Sequence, residues 1–164
     1  MEEHEREFQR LVGDLDYPLY VVTAAAGDER DGCLVGFGTQ CSIDPLLFLI
    51  CLSDKNRTHR IAQGAETLIV HFVPEERRDL AELFGGETAD EEDKLAAVDW
   101  SPGPGGAPLI SGLTRWFAGR IEERIDWSGD HTGFVLAPVE ARSGGEQDEL
   151  TFQEAKGIEP GHEP

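Results

Sequence analysis

The apolar residues of this chain fall into short strand-like runs that follow one another through turns, with few helical segments between them. The runs are rich in β-branched and aromatic residues, as β-strands are, and they cover residues 17–25, 33–38, 46–52, 67–73, 113–126, 131–141 and 148–152. Asp31-Gly32 between the first two is a strong hairpin signal. LLFLICL (46–52) is continuously apolar, which predicts a strand buried on both faces, and 113–126 resembles a long strand bordering solvent. Successive hairpins favour an antiparallel barrel over a doubly wound sheet.

Helical patterns are few and short. Phe8, Leu11, Val12 and Leu15 recur at helical spacing, so we expect an amphipathic helix over residues 3–13. Further helices are expected at 58–65, after Pro74, and at 91–98, while 100–108 is a Gly/Pro loop too short to link domains. At 164 residues, one domain over 1–164 with a core at about 15–142 is the expected organisation, followed by a loose tail after Gly157.

The charge and the cysteines restrict partners and compartment. A formal net charge of -19 argues against nucleic acid and anionic membrane surfaces, which bind basic patches. The N-terminus does not have the pattern of a signal peptide, and no run approaches the roughly 18 apolar residues of a membrane span. Three cysteines without CxxC spacing indicate a reducing compartment, so we expect a cytoplasmic protein. No cluster has metal-ligand spacing, so no metal is expected.

The stretch GFGTQCSIDP (36–45) places many small polar groups between two strands. Gly36 and Gly38 would let a planar ligand approach the backbone, and the stretch also offers polar groups at Thr39, Gln40, Cys41 and Ser42. The alternative is a bulged strand with polar solvent contacts. The residues themselves leave both interpretations open.

The window SDKNRTHR (53–60) gathers Lys55, Arg57, His59 and Arg60 in a strongly acidic chain. It precedes a predicted helix for which Thr58 is a candidate N-cap. Free N–H groups and cations at a helix start bind anions, so the window predicts a phosphate site. An ordinary capped helix with solvated basic residues is the alternative.

Three further side chains are candidates for chemistry. His131 follows a Gly-Asp turn at a strand start, where it could contact a ligand, shuttle a proton or do nothing. His71 lies in an apolar strand and fits a hydrogen-bonded core histidine. Cys41 could be a reactive thiol, although small buried cysteines are commoner.

In this order, the windows Asp31-Gly32, Thr39–Pro45, Lys55–Thr58 and Gly129–His131 resemble the flavin reductase-like domain family, the FMN-binding split barrels. The resemblance covers roughly residues 15–142 and implies a Greek-key split barrel with a few peripheral helices.

The resemblance implies a function and a site. An NAD(P)H:flavin oxidoreductase is expected, homodimeric, with FMN (or FAD) bound and a partner monooxygenase that receives reduced flavin. A flavin-binding carrier, sensor or electron-transfer module is the alternative. The flavin ring would lie against Gly36–Cys41, with Ser42 on the phosphate or ribityl chain. Lys55, Asn56 and Thr58 would complete the phosphate site, and His131 would lie near the ring or nicotinamide as the catalytic residue.

The sequence departs from the family pattern in several places. Leu34, Gly36 and Phe37 stand where family members often have Thr, Asn and Ser, Gln40 replaces a serine, and Leu46 replaces the second proline. Fewer hydroxyls therefore face the ring, and Phe37 could cover one ring face instead.

Overall fold

A computed structural model describes residues 1–86 and 93–156 of the chain. These residues form nine β-strands, seven of them in one antiparallel sheet with the order β2-β1-β5-β8-β9-β4-β3, while β6 and β7 pair separately. The strands are β1 Tyr20–Ala26, β2 Glu29–Val35, β3 Gly38–Ile43, β4 Leu46–Ser53, β5 Thr67–Phe72, β6 Trp100–Pro102, β7 Pro108–Ile110, β8 Arg115–Asp126 and β9 His131–Ser143. The predicted succession of antiparallel strands is thereby confirmed.

The helices are short and peripheral, as expected. They are α1 Glu3–Gly13, α2 Arg57–Gln63 and α3 Arg78–Gly85, and short 3-10 segments lie at Glu75–Arg77, Lys94–Ala97 and Pro104–Gly106. The predicted helix over 91–98 is a 3-10 turn where it is described, and residues 91–92 fall outside the described residues. The predicted loose tail after Gly157 lies outside them as well.

One core runs through most of the large sheet. Strand β2 is one edge of this sheet and β4 lies next to the other edge, yet both contribute to a single buried cluster, which also includes two residues of α2. Its members are Tyr20, Val22, Ala24, Cys33, Val35, Ile50, Leu52, Ile61, Ala62, Leu68, Val70, Phe134 and Leu136. The sheet therefore curls around a common interior, which is compatible with a split barrel.

The first hairpin turn lies four residues before its predicted position. Ala26 pairs with Glu29, so Gly27-Asp28 forms the two-residue turn, and Gly27 has a φ of 59°. Asp31-Gly32 lies inside β2, with Asp31 1% exposed. Both dipeptides have turn chemistry, and the tertiary contacts of Asp31 decide between them.

Four other expectations need correction. The 46–52 run is not buried on both faces, since Leu46 is exposed and only Ile50 and Leu52 are fully buried. The predicted long strand bordering solvent is β8, whose second half is largely exposed as expected, but it lies inside the sheet between β5 and β9 and not at an edge. The 100–108 segment contains β6 and the start of β7, and 148–152 makes only isolated bridges to Pro18 and Pro74. Long-range pairing, which local propensity does not encode, determines each of these outcomes.

Candidate functional site

The basic window and the predicted catalytic histidine meet where β4 ends and β9 begins. Ser53 pairs with His131 across the two strands, and the backbone N–H of Asp54 donates to the carbonyl of Asp130 at 2.8 Å. The loop that carries Lys55 therefore lies against the Gly129–His131 turn. Two windows that are about 75 residues apart in sequence come together as the family resemblance implies.

His131 is held between an acid and an aromatic ring. Its Nδ1–H donates to the Asp130 carboxylate at 2.8 Å, and its ring centroid lies 5.0 Å from that of Phe37, tilted by 48°. The hydrogen bond from His131 lowers the pKa of Asp130, and the positive charge of Lys55 adds a smaller effect in the same direction. The backbone carbonyl of Phe37 accepts from the N–H of Cys51 at 2.9 Å, which ties the start of the 36–42 stretch to the same place. We call Phe37, the 53–58 segment from the end of β4 to the start of α2, Asp130 and His131 the strand-end cluster.

Among the described residues, Lys55 is the cation of the basic window that forms no ion pair. Arg57 pairs with Asp31 at 2.9 Å and Arg60 pairs with Glu29 at 2.8 Å. Within the part of the chain that the structure describes, exposed Lys55 forms no ion pair. A ligand anion at this loop would therefore find its positive charge at Lys55.

Thr58 is fully buried, and its Oγ1 atom has no hydrogen-bond partner among residues 1–86 and 93–156. It is not the N-cap that its sequence context predicted, because α2 begins at Arg57 and Asn56 takes the N-cap position. A buried hydroxyl without a partner is costly. It offers a hydrogen-bonding position that a ligand oxygen or a water can occupy.

The predicted strand over 33–38 is wrong, because β2 ends at Val35, Gly36 and Phe37 form the connection, and β3 begins at Gly38. From Gly38 onward the stretch is a bulged edge strand, one of the two interpretations that the sequence left open. Strand β3 pairs with β4, and the register shifts between Gln40 and Ser42. A Cβ atom at Gly36 would lie 3.0 Å from the ring of Tyr17, and one at Gly38 would lie 2.9 Å from Cδ1 of Ile50. Side chains of the protein itself therefore occupy the space that a Cβ at either glycine would need.

The polar side chains of β3 point mostly into solvent. Thr39, Gln40 and Cys41 are exposed and Ser42 is half-buried, and a shallow depression is lined by Gln40–Ile43. Ser42 pairs with Leu47, six residues before the end of β4, which corresponds to roughly 20 Å along the strand. Within one copy of the chain, Ser42 and Lys55 therefore do not lie together.

The remaining histidines and cysteines have distinct surroundings. His71 is a buried, hydrogen-bonded core residue, as its strand context predicts. His59 Nε2 lies 2.8 Å from Thr132 Oγ1, and burial lowers its pKa. Cys41 is exposed, whereas burial raises the pKa of Cys51.

Trp127 is a site neighbour that the sequence analysis missed. It lies in the turn before His131 and is 49% exposed, and its ring covers Gly133, where a Cβ would lie 2.7 Å from the indole. A glycine inside a strand often marks such a close approach, so Gly133 was the signal in the sequence. The indole provides an intrinsic fluorophore beside the strand-end cluster.

The described residues include neither a membrane-spanning helix nor a group of metal ligands. No helix among them is both long enough and apolar enough to cross a membrane. No three His, Cys, Asp or Glu side chains in residues 1–86 and 93–156 are grouped so that they could hold a metal ion.

Comparison with known proteins gives consistent matches. The family model described as "Flavin reductase like domain" matches residues 12–157. The stachydrine N-demethylase reductase subunit Stc3 of Rhizobium meliloti is 30% identical over 79% of this chain and 56% of its own length. The flavin-dependent monooxygenase reductase subunit HsaB of Rhodococcus jostii is 28% identical over 94% of this chain and 78% of its own.

A solved structure extends the likeness to the whole fold. The NADH:FAD oxidoreductase SgcE6 of Streptomyces globisporus, in complex with NAD and FAD fragments, superposes with a TM-score of 0.80 and is 26% identical. The match covers 95% of this chain and 93% of that one. Several curated relatives are longer proteins, and the chain spans between 35% and 56% of the length of four of them.

Proposed function

The chain belongs to the flavin reductase-like domain family, and from this membership we propose that it transfers a hydride from NAD(P)H to a flavin, with FMN preferred and FAD as the alternative. The observation that carries the proposal is the strand-end cluster, in which His131, Phe37 and the Lys55 loop meet. When bound, the isoalloxazine ring supplies the redox chemistry. The work of the chain is to bind, orient and shield the two ligands.

The phosphate end of the flavin fits Lys55, Asn56 and Thr58. Lys55 supplies a cation that forms no ion pair among the described residues, and charge-assisted hydrogen bonds to phosphate are among the stronger ones. The buried Oγ1 of Thr58 has a hydrogen-bonding capacity that no described group satisfies. Asn56 lies between them in the chain. We propose that these three side chains hold the phosphate.

The ring end fits the stretch from Gly36 to Cys41. Strand β3 is the last strand of the sheet, and an edge strand presents backbone N–H and C=O groups that no neighbouring strand uses. These groups can hydrogen-bond the polar edge of a flavin even though the family's usual hydroxyls are few here. Because Ser42 lies at the far end of β3, a contact of Ser42 with the ribityl chain requires the flavin to lie along this strand.

His131 is proposed to orient the nicotinamide or the ring edge. Its hydrogen bond to Asp130 fixes the proton on Nδ1 and leaves Nε2 to face a ligand. Phe37 packs against the same imidazole, so it shields this position from water. A hydride transfer needs close, aligned ring atoms, and the histidine contributes to that alignment.

A second function, a flavin carrier, sensor or electron-transfer module, is favoured by one observation. The ring of Phe37 occupies space directly beside His131. If Phe37 keeps this position with flavin bound, a nicotinamide cannot stack there. Phe37→Ala would then gain a reduction by NADH that the natural protein lacks.

We propose a homodimer on the basis of α1. This helix buries none of its residues, and the apolar stripe formed by Phe8, Leu11 and Val12, with Leu15 just after the helix, is left uncovered. A second copy of the chain would cover the stripe. Isolated helices of this length are marginal in water, so such packing would also stabilise α1.

The wider setting is proposed from the relatives and the cysteines. HsaB is a reductase subunit of a flavin-dependent monooxygenase, so a partner monooxygenase that takes reduced flavin is proposed for this chain. Cys33, Cys41 and Cys51 are all free thiols, which supports a cytoplasmic location. Residues 1–164 are proposed to act as one domain.

Anaerobic mixing of the purified protein with FMN and NADH tests the proposal. A reductase bleaches the visible flavin absorbance much faster than free FMN and NADH do alone. Bound flavin that stays oxidised would overturn the reductase proposal and support the carrier. Protein that binds no flavin would overturn both.

A further inference from the structure

Two acids of β2 hold helix α2 onto the sheet through two parallel ion pairs. Glu29 and Asp31 are two residues apart, so they share one face of the strand. Arg57 and Arg60 are three apart, so they share one face of the helix. Arg57 Nε lies 2.9 Å from Asp31 Oδ2, and Arg60 lies 2.8 Å from Glu29.

The two pairs differ in burial. The side chains of Arg60 and Glu29 are 60% and 54% exposed, whereas Asp31 is 1% exposed and Arg57 is 37% exposed. Exposed ion pairs contribute little to stability, whereas a buried carboxylate without a positive charge beside it is strongly destabilising. The hydrogen bond to Asp31 raises the pKa of Arg57. The inner pair is therefore the one that fixes where α2 begins.

Asp31 has a second cation. Lys94 is 1% exposed, and its Nζ atom lies 3.5 Å from Oδ1 of Asp31, which has no hydrogen-bond partner among the described residues. Asp31 thus lies between Arg57 on one side and Lys94 on the other. Removal of Arg57 alone would leave Asp31 paired, whereas removal of Asp31 alone would leave two cations without their acid.

Arg57 stands between Asn56 and Thr58, two of the three residues proposed above to hold the flavin phosphate. Anchoring the Arg57 side chain restrains the backbone on both sides of it. A loop that is ordered before binding avoids the entropy cost of ordering during binding. Nε of Arg57 is engaged by Asp31, so this edge of its guanidinium serves the protein and not the ligand.

We propose that Asp31, acting through Arg57, is a positioning residue that sets the affinity of this site for a phosphomonoester. The ligand class is a flavin that carries a terminal phosphate, as opposed to riboflavin. The proposal rests on the proposed function. It adds that discrimination between the two flavins depends on a buried acid that touches neither.

Arg57→Gln is the first test, with Arg60→Gln as the matched control from the same helix. Binding of FMN and of riboflavin is measured by titration, and amide hydrogen exchange of residues 55–58 reports the order of the loop. Arg57→Gln is expected to weaken FMN binding about tenfold, which corresponds to about 1.4 kcal/mol. Its affinity for riboflavin should stay within about twofold, and amide hydrogen exchange of residues 55–58 should become faster. Arg57→Lys, which keeps the charge, should recover part of the FMN affinity, and Arg60→Gln should change neither flavin. Equal losses for both flavins, or unchanged FMN affinity in Arg57→Gln, would overturn the proposal.

Removal of the acid separates positioning from direct contact. Asp31→Asn combined with Lys94→Gln removes the acid and one of its cations together, so the fold is not left with two unpaired cations. Positioning predicts weaker FMN binding in this double variant, again about tenfold. If Arg57 itself bound the phosphate, its release from Asp31 would tighten FMN, and that result would overturn the proposal. If the natural protein binds FMN no better than riboflavin, the phosphate site itself is wrong. If the natural protein prefers FMN and the double variant keeps that preference, only the role of Asp31 is wrong.

Discussion

His71 joins two layers of the structure through both of its ring nitrogens. Its Nδ1–H donates to the backbone carbonyl of Val21 at 2.9 Å, and its Nε2 accepts from the backbone N–H of Ile110 at 3.1 Å. The imidazole is therefore neutral in the folded protein, with a defined tautomer. Through it, the large sheet is linked to β7.

This histidine predicts a loss of stability in acid. Burial lowers the pKa of His71 from 6.5 to about 4, so between these values the unfolded chain binds a proton that the folded chain does not. The contribution of His71 to the free energy of unfolding is complete above the pKa that it has in the unfolded chain. It is lost as the pH falls towards the pKa that it has in the folded protein, and the total is about 3 kcal/mol. Urea unfolding at about pH 7 and about pH 4.5 measures it.

The histidine variant isolates this effect from the titration of carboxylates. His71→Gln is less stable than the natural protein at neutral pH, because the buried groups of Val21 and Ile110 lose their partner. The difference in the free energy of unfolding between the natural protein and His71→Gln should shrink by roughly 2 kcal/mol at the lower pH. A gap that is independent of pH would mean that His71 is not the group that titrates.

The phosphate site predicts a difference between two flavins. Lys55→Ala and Thr58→Ala should each weaken FMN binding about tenfold. Both should weaken the binding of riboflavin, which has no phosphate, much less. Equilibrium titration with each flavin, followed by the fluorescence of Trp127 beside the site, measures the affinities.

Thr58→Ser is the matched control for this prediction. It keeps the hydroxyl and should retain most of the FMN affinity, whereas Thr58→Ala removes the oxygen that has no described partner. Equal losses of FMN and riboflavin in the alanine variants would show that these residues support the fold and do not contact phosphate.

The uncovered stripe of α1 predicts the oligomeric state. Phe8 and Leu11 are 63% and 69% exposed in one copy of the chain, so the natural protein should have the mass of a dimer by light scattering. Leu11→Glu places a charge on the stripe and should give monomers. Arg10→Gln changes the charge equally on the opposite face and should stay dimeric. A monomeric natural protein would remove α1 from any interface between copies.

Local patterns predicted the elements, and long-range pairing decided their details. The helical spacing of Phe8, Leu11 and Val12 gave α1 with its bounds 3–13, because none of its residues is buried and the local pattern alone decides them. The first turn was misplaced because Gly27-Asp28 and Asp31-Gly32 both have turn chemistry. What separates them is the buried contact of Asp31 with Arg57, which no local window contains.

The candidate site shows the same division. The sequence windows around Lys55 and His131 were identified, and the β4–β9 register brings them together. Which cations remain for a ligand could not be predicted, because it depends on the pairing of Arg57 and Arg60 with β2. The reason for Gly36 was also hidden, since the ring that needs the space belongs to Tyr17, which follows α1 in the chain.

If hydride transfer occurs at the strand-end cluster, the rate of flavin reduction depends on His131. The measurement is the rate at which NADH reduces protein-bound FMN in rapid anaerobic mixing, for the natural protein, His131→Ala, and the control His59→Gln. We expect His131→Ala to slow reduction about tenfold or more, which corresponds to the loss of roughly one charge-assisted contact. Its FMN affinity should stay within about twofold, and His59→Gln should be reduced at the normal rate. An unchanged reduction rate in His131→Ala would contradict hydride transfer at this cluster.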